Sequence, residues 1–178
     1  MSTSTVAPHD PRYPIGKFHY VPAPDKAERD RRIEIIASAP AKLRSAVEGL
    51  TEQQLNSRYR EGGWTIRQVI HHVPDSHMQA YTRIKLALTE DQPSISTYNE
   101  SAWAKLSDSE GPIEPSLALL EGLHVRWTSL LRSLNEEQWQ CTFLHPELGL
   151  FAVERALALY VWHGEHHHAH VQQAMKEL

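Results

Sequence analysis

Apolar positions along this chain recur at helical spacing in four long blocks, separated by polar and proline-bearing stretches. Ile33, Ile36, Leu43 and Val47 follow an acidic start at Asp25 and Glu28 and stop at Gly49, which predicts a first helix. Thr65 and Gln68 form a capping box with Trp64 and Val69 placed as a hydrophobic staple, so a second helix is predicted from there to about Leu88. Pro74, inside that helix, must kink it or locally free a carbonyl. Leu117 to Leu134 predicts a third helix, and Ala152 to Lys176 a fourth.

The regions between these blocks differ in character. Residues 1–24 hold five of the eleven prolines and little apolar periodicity, so they are expected to form an extended N-terminal arm, with Tyr13, Phe18 and Tyr20 laid along the surface of a domain spanning 25–178. The stretch from Thr89 to Pro115, rich in Ser, Asp and Pro, is long for a connection inside one domain and is expected to carry function. Leu50-Thr-Glu-Gln-Gln-Leu55 and Leu134-Asn-Glu-Glu-Gln-Trp139 resemble each other, each following one long helix and preceding another. The pattern predicts an all-α fold, a four-helix bundle of two similar helix pairs with a histidine-bearing helix second in each pair.

Composition narrows the chemistry. At 178 residues and 40% hydrophobic content, the chain can bury a core as a single domain. The lone Cys141 excludes an internal disulfide and a multi-cysteine zinc knuckle, fits a reducing compartment, and is expected to be a buried apolar thiol. A net charge of −4 and the lack of a basic, aromatic-interleaved cluster exclude nucleic acid as a partner. Met1-Ser-Thr-Ser-Thr-Val-Ala-Pro8 lacks the charged start and apolar core of a signal peptide, and no run approaches the roughly 20 apolar residues of a membrane span. A soluble, cytoplasmic protein is expected, in which any metal is held by histidine and carboxylate.

Histidine is concentrated in two places. In Tyr160-Val-Trp-His-Gly-Glu-His-His-His-Ala-His-Val171, a rotation of about 100° per residue puts His163, His167 and His170 in one stripe with Ala156, Tyr160 and Ala174, facing the core. His166 falls at the edge of the stripe and His168 points away. Imidazoles at i and i+4 can present two nitrogens to one ion, so a third ligand must come from elsewhere. In Val69-Ile-His-His-Val-Pro-Asp-Ser-His77, periodicity puts His77 inside the buried arc and His71 and His72 on its flank, although Pro74 weakens the angles across it.

The runs Gly62-Gly-Trp-Thr-Ile-Arg-Gln-Val-Ile-His-His-Val-Pro-Asp-Ser-His77, Tyr98-Asn-Glu-Ser-Ala-Trp103, Leu119-Leu-Glu-Gly-Leu-His-Val-Arg-Trp127 and the histidine run above together resemble the YfiT group of the DinB superfamily, from Tyr13-Pro-Ile-Gly16 to the C-terminus. The resemblance implies a four-helix bundle, a homodimer, and one divalent metal per chain, zinc or nickel, on three histidines that match His72, His163 and His167. It displaces His77 to the pocket or to the surroundings of the ligands, and leaves His71 exposed or packed between helices.

Three neutral histidines leave a coordination position open, the pattern of a catalytic rather than a closed structural site. Hydrolysis of a small-molecule substrate through metal-bound water is the leading expectation. The same position could hold a low-molecular-weight thiol cosubstrate as thiolate, giving a bacillithiol-type S-transferase, or the bundle could be a non-catalytic binding or dimerisation module. Asp75, one turn beyond His72, is expected to orient that imidazole or to act as base. Gly164 separates Glu165 from His163 and turns it away, unlike the adjacent His-Glu of a zincin. Glu100 is expected as a solvated loop acid that could instead wall the metal mouth, Arg83 and Arg126 as surface residues that could instead meet an anionic substrate group, and Trp64, Trp103, Trp127, Trp139 and Trp162 as bundle packing.

Overall fold

Residues 10–176 are described by the structure, a computed structural model; the first nine residues of the arm, on which the reading of the leader rests, and the last two of the chain lie outside the described residues. In chain order the elements are α1 (Lys26–Val47), α2 (Glu52–Leu55), α3 (Ile66–Thr89), α4 (Glu100–Trp103), a 3-10 turn at Ser107–Glu110, α5 (Glu114–Arg132), α6 (Glu136–Gln140), β1 (Thr142–His145), β2 (Gly149–Ala152) and α7 (Val153–Lys176). The four long helices are the four predicted ones, with ends shifted by a few residues.

The starts of these helices follow from capping chemistry. Asp25 accepts the Glu28 backbone N–H ahead of α1, and Thr65 with Gln68 completes the reciprocal capping box ahead of α3. The two similar hexapeptides form α2 and α6, capped in the same reciprocal way by Thr51 with Gln54 and by Asn135 with Gln138. Each is followed by an antiparallel backbone pairing, an isolated bridge between Arg58 and Thr65 in the first half and the β1–β2 hairpin in the second. The faint repeat is therefore structural.

The long helices form a bundle in which α1 packs on α5 and α7, and α3 packs on the same two. The two long helices of each half of the chain, α1 with α3 and α5 with α7, thus stand diagonally across the bundle, while α3 and α5 lie side by side. The core runs its length: Ile33, Ile36, Ile84, Trp127, Leu131 and Leu157 at one end, and Leu43, Ile66, Ile70, Leu120 and Val171 at the other. α3 continues through Pro74 and α1 through Pro40, so neither proline breaks its helix; each removes one helical N–H.

The hairpin was not anticipated from the sequence. Phe143 and Phe151 pair across it and are buried, while Leu144 and Leu150 face out, and Gly149 takes a positive φ of 69° where the chain turns. Cys141, just before it, is half buried against the core rather than enclosed. Leu144 also pairs with the long connection, donating to Pro93 O at 2.9 Å and accepting from Ile95 N at 3.1 Å. The other end of that connection is pinned to α3, where Gln68 Nε2 donates to Ala104 O and Arg67 donates to Gly111 O, each at 2.7 Å. The segment between the pins passes the α3–α7 seam, where Glu100 and Ser101 lie beside His72 and His163. The described part of the arm crosses α7, where Trp162 Nε1 donates to Gly16 O at 3.1 Å and Phe18 packs on Trp162.

Ile84 is fully buried, whereas Val125 is 71% exposed. Ile84→Ala is expected to lower the unfolding free energy by about 2–5 kcal/mol, and Val125→Ala by no more than about 0.5 kcal/mol. Urea denaturation monitored by circular dichroism checks both.

Candidate metal centre

α3 and α7 are neighbours, and His72, in the second turn of α3, meets the histidines in the middle of α7. His163 and His167 are one turn apart on α7, with ring centroids 4.5 Å apart, and His72 of α3 closes the group at 5.3 Å and 4.7 Å from them. One ligand-capable atom from each of the three lies within 4.8 Å of the others. His72 Nε2 and His163 Nε2 are 3.3 Å apart, and Ser76 Oγ lies 3.3 Å from the same His163 nitrogen.

Burial keeps these imidazoles neutral. It holds His72 down to about 4 and His163 and His167 well below the ordinary histidine value, with the neighbouring imidazoles adding to the effect. Their ring nitrogens thus offer lone pairs at neutral pH. Three converging neutral nitrogens fit a borderline divalent ion such as zinc or nickel, and a three-protein-ligand set leaves room for a small molecule beside it.

The group opens into a cavity of about 450 Å³. Tyr59, Trp64 and Trp162 form its flat walls, each stacked or tilted against a histidine: Tyr59 on His170 at 3.9 Å, Trp64 on His72 at 4.7 Å, Trp162 on His166 at 4.4 Å. Arg12 of the arm and Arg60 lie at its rim. Trp127 and Trp139 are core residues as expected, and Trp64 packs against the core while also lining the cavity, which Trp162 lines too. A second cavity, about 380 Å³ and mainly polar, is lined by Ser76, Arg83, Tyr98, His145, Glu147 and Tyr160 among others.

Glu100 and Ser101 line both cavities, so the long connection supplies the wall between them. Glu100 is therefore a rim acid of the site rather than a loop acid remote from it, and desolvation raises its pKa despite the opposing charge of Arg83. Arg83 faces the second cavity instead of the open surface. Arg126 lies over the Tyr81 ring, outside both cavities.

The remaining sequence candidates separate by geometry. Asp75 is half buried, with its carboxyl pushed up to about 6 by desolvation and by the nearby Asp108 charge. Among the described residues no hydrogen bond joins it to His72, and it lines neither cavity. His71 packs between helices, with Nδ1 at 2.7 Å from Ser116 Oγ and Nε2 at 3.2 Å from Gly111 O. Glu165 turns away and pairs with Lys42 at 2.8 Å, and His168 opens into a separate groove of about 780 Å³ between α1 and α7. His166 and His170 line the wall of the site cavity.

His77 lies behind the ligands, fully buried, with Nε2 3.1 Å from His163 Nδ1. Its other nitrogen meets His124 Nε2 at 2.8 Å. His124, on α5, was not singled out from the sequence, because one histidine on an apolar face has no spacing partner to mark it. Its neighbour three positions on, Trp127, packs edge-on against both His77 and His124.

Residues 35–171 match the sequence profile of the DinB superfamily. The chain is 47% identical over 169 residues to a Bacillus subtilis (strain 168) protein provisionally named metal-dependent hydrolase YfiT, covering 93% of this chain and 94% of that one. A protein with the same provisional activity, BH0277 of Halalkalibacterium halodurans, is 48% identical, covering 93% and 97%. The solved structure of Bacillus subtilis YfiT, described as a probable metal-dependent hydrolase with an unusual four-helix bundle topology, superposes with a TM-score of 0.91, covering 94% of this chain and 97% of that one.

Burial holds His124 down to about 4 in the fold, against about 6.5 when unfolded. Between those values the folded state binds fewer protons than the unfolded chain. The stabilisation is complete above about pH 6.5 and is lost as pH falls toward 4. For metal-free protein, His124 alone is expected to remove about 2 kcal/mol between pH 7 and pH 5, and the other buried imidazoles act in the same direction. Urea midpoints across that range check this; a flat profile contradicts it.

Proposed function

The chain belongs to the DinB superfamily, and from that membership and its three converging imidazoles we propose that it is a metal-dependent hydrolase of a small-molecule amide, ester or related bond. The observation that carries the proposal is the set of three neutral histidines, His72, His163 and His167, at the wall of a cavity of about 450 Å³. Those residues would hold the ion, with zinc or nickel the expected metal because imidazole nitrogen suits both. When bound, the ion supplies Lewis-acid activation of water and of a substrate carbonyl.

This chain's own groups supply the rest. Tyr59, Trp64 and Trp162 offer flat apolar faces that exclude water and accept the planar part of a substrate. Glu100, at the wall common to both cavities and with a raised pKa, is placed to accept a proton from the attacking water. Asp75 lines neither cavity, so the proton-accepting role falls to Glu100 in this reading.

His163→Ala is expected to lose stoichiometric metal and turnover while keeping the helical spectrum, and Glu100→Gln to keep its metal while kcat falls about 10²–10⁴-fold. Elemental analysis and a panel of amide and ester substrates check both. Retained metal in His163→Ala overturns the ligand set. Turnover that appears only when a low-molecular-weight thiol is supplied replaces hydrolysis by thiol transfer.

A further inference from the structure

Pro40 lies inside α1, and a proline there lacks the N–H that would bond the carbonyl four residues earlier, at Ile36. That carbonyl instead accepts a hydrogen bond from His124 Nδ1 of α5, at 2.7 Å. A carbonyl only accepts, so the single proton of a neutral His124 must sit on Nδ1, leaving Nε2 bare. His124 Nε2 is 2.8 Å from His77 Nδ1 of α3, which must then carry the His77 proton. His77 Nε2, bare in turn, is 3.1 Å from His163 Nδ1 of α7 and accepts from it.

The direction of every bond in this thread is set at its far end. Ile36, His77 and His124 are at most 2% exposed, so water has no ready access to exchange donors for acceptors along it. The outcome at the near end is specific: the His163 proton is held on Nδ1, and the lone pair is on Nε2. Nε2 is the nitrogen that faces His72 and Ser76 at 3.3 Å.

We propose that Pro40, His124 and His77 are positioning residues which fix the tautomer of His163, so that its Nε2 is presented bare toward His72 and the site cavity. Its purpose rests on the metal-dependent reading above. A ligand imidazole held through its second nitrogen keeps both its orientation and its basicity, and here the holding group is a backbone carbonyl on the fourth helix of the thread, α1, reached through two intervening rings.

The test combines nitrogen-15 NMR of the histidine rings in metal-free protein at neutral pH with zinc titration against a competing chelator. In the unmodified chain the His163 proton is expected on Nδ1. His77→Leu, which leaves that N–H without an acceptor, is expected to weaken zinc binding about 10–100-fold. His77→Gln, whose amide oxygen can accept the same proton, is expected to restore affinity to within about threefold of the unmodified chain. Pro40→Ala returns a competing N–H to Ile36, and its His163 spectrum is expected to show both tautomers; an unchanged spectrum removes the proline from the thread.

A proton on Nε2 of His163 in the unmodified chain overturns the proposal, as does zinc binding by His77→Leu within about threefold of the unmodified chain. A thread that only fills the core would lower the melting temperature of both His77 variants while leaving their zinc constants alike. If His77→Leu does not fold, the NMR measurement on the unmodified chain decides the matter. An unmodified chain that binds no zinc or nickel defeats the functional reading, whereas the tautomer spectrum still decides the thread.

Discussion

An imidazole buried in a helical bundle must donate its N–H to an acceptor, and at the centre of this molecule that requirement is met, at the end of a line of rings, by one backbone carbonyl. Ile36 O accepts the hydrogen bond of His124 Nδ1–H, which leaves His124 Nε2 to accept from His77, and His77 Nε2 in turn to accept from His163. An unpaired buried N–H costs roughly 1–3 kcal/mol, so a break anywhere along this line leaves a polar group stranded in apolar surroundings. The order also joins all four long helices, since the carbonyl is on α1 and the three rings are on α5, α3 and α7. Packing of Trp127 and Tyr160 edge-on against His77 holds the rings in their planes.

The bundle's connectivity makes this arrangement possible. α3 and α7 are in contact, so the His72 side and the His163–His167 side of the site face each other directly. The long connection, pinned to α3 at one end and to the hairpin at the other and anchored in the core by Ile95, carries Glu100 and Ser101 between those anchors and walls the opening with them. The two cavities on either side of Glu100 follow from that wall, and so does the partial burial of an acid that the sequence places in a polar loop.

Local signals in the sequence were sufficient for the helices. Thr65 and Gln68 mark the start of α3 because capping is a contact between residues three apart, and the stripe of His163, His167 and His170 is a property of one helix. The repeat of α2 and α6 was visible for the same reason. His72 needed the family resemblance, because the apolar arc around Pro74 favoured His77; the structure shows both facing inward, one toward the cavity and one behind it. His124, the site role of Trp64 and Trp162, and the significance of Pro40 were out of reach, since each depends on a partner more than sixty residues away. The hairpin was missed because four-residue strands carry too short an alternation to stand out from a loop.

The diagonal placement of the two long helices within each half of the chain has a consequence for how the chain folds. Neither α1 with α3 nor α5 with α7 can settle as an isolated hairpin, because each buries its apolar stripe against helices from the other half of the chain. Contacts are therefore distant along the chain, and chains with distant contacts fold more slowly than helical proteins built from adjacent pairs. During synthesis, α1 and α3 emerge well before the α7 that completes the histidine cluster. The cluster is closed only by the last helix to be made.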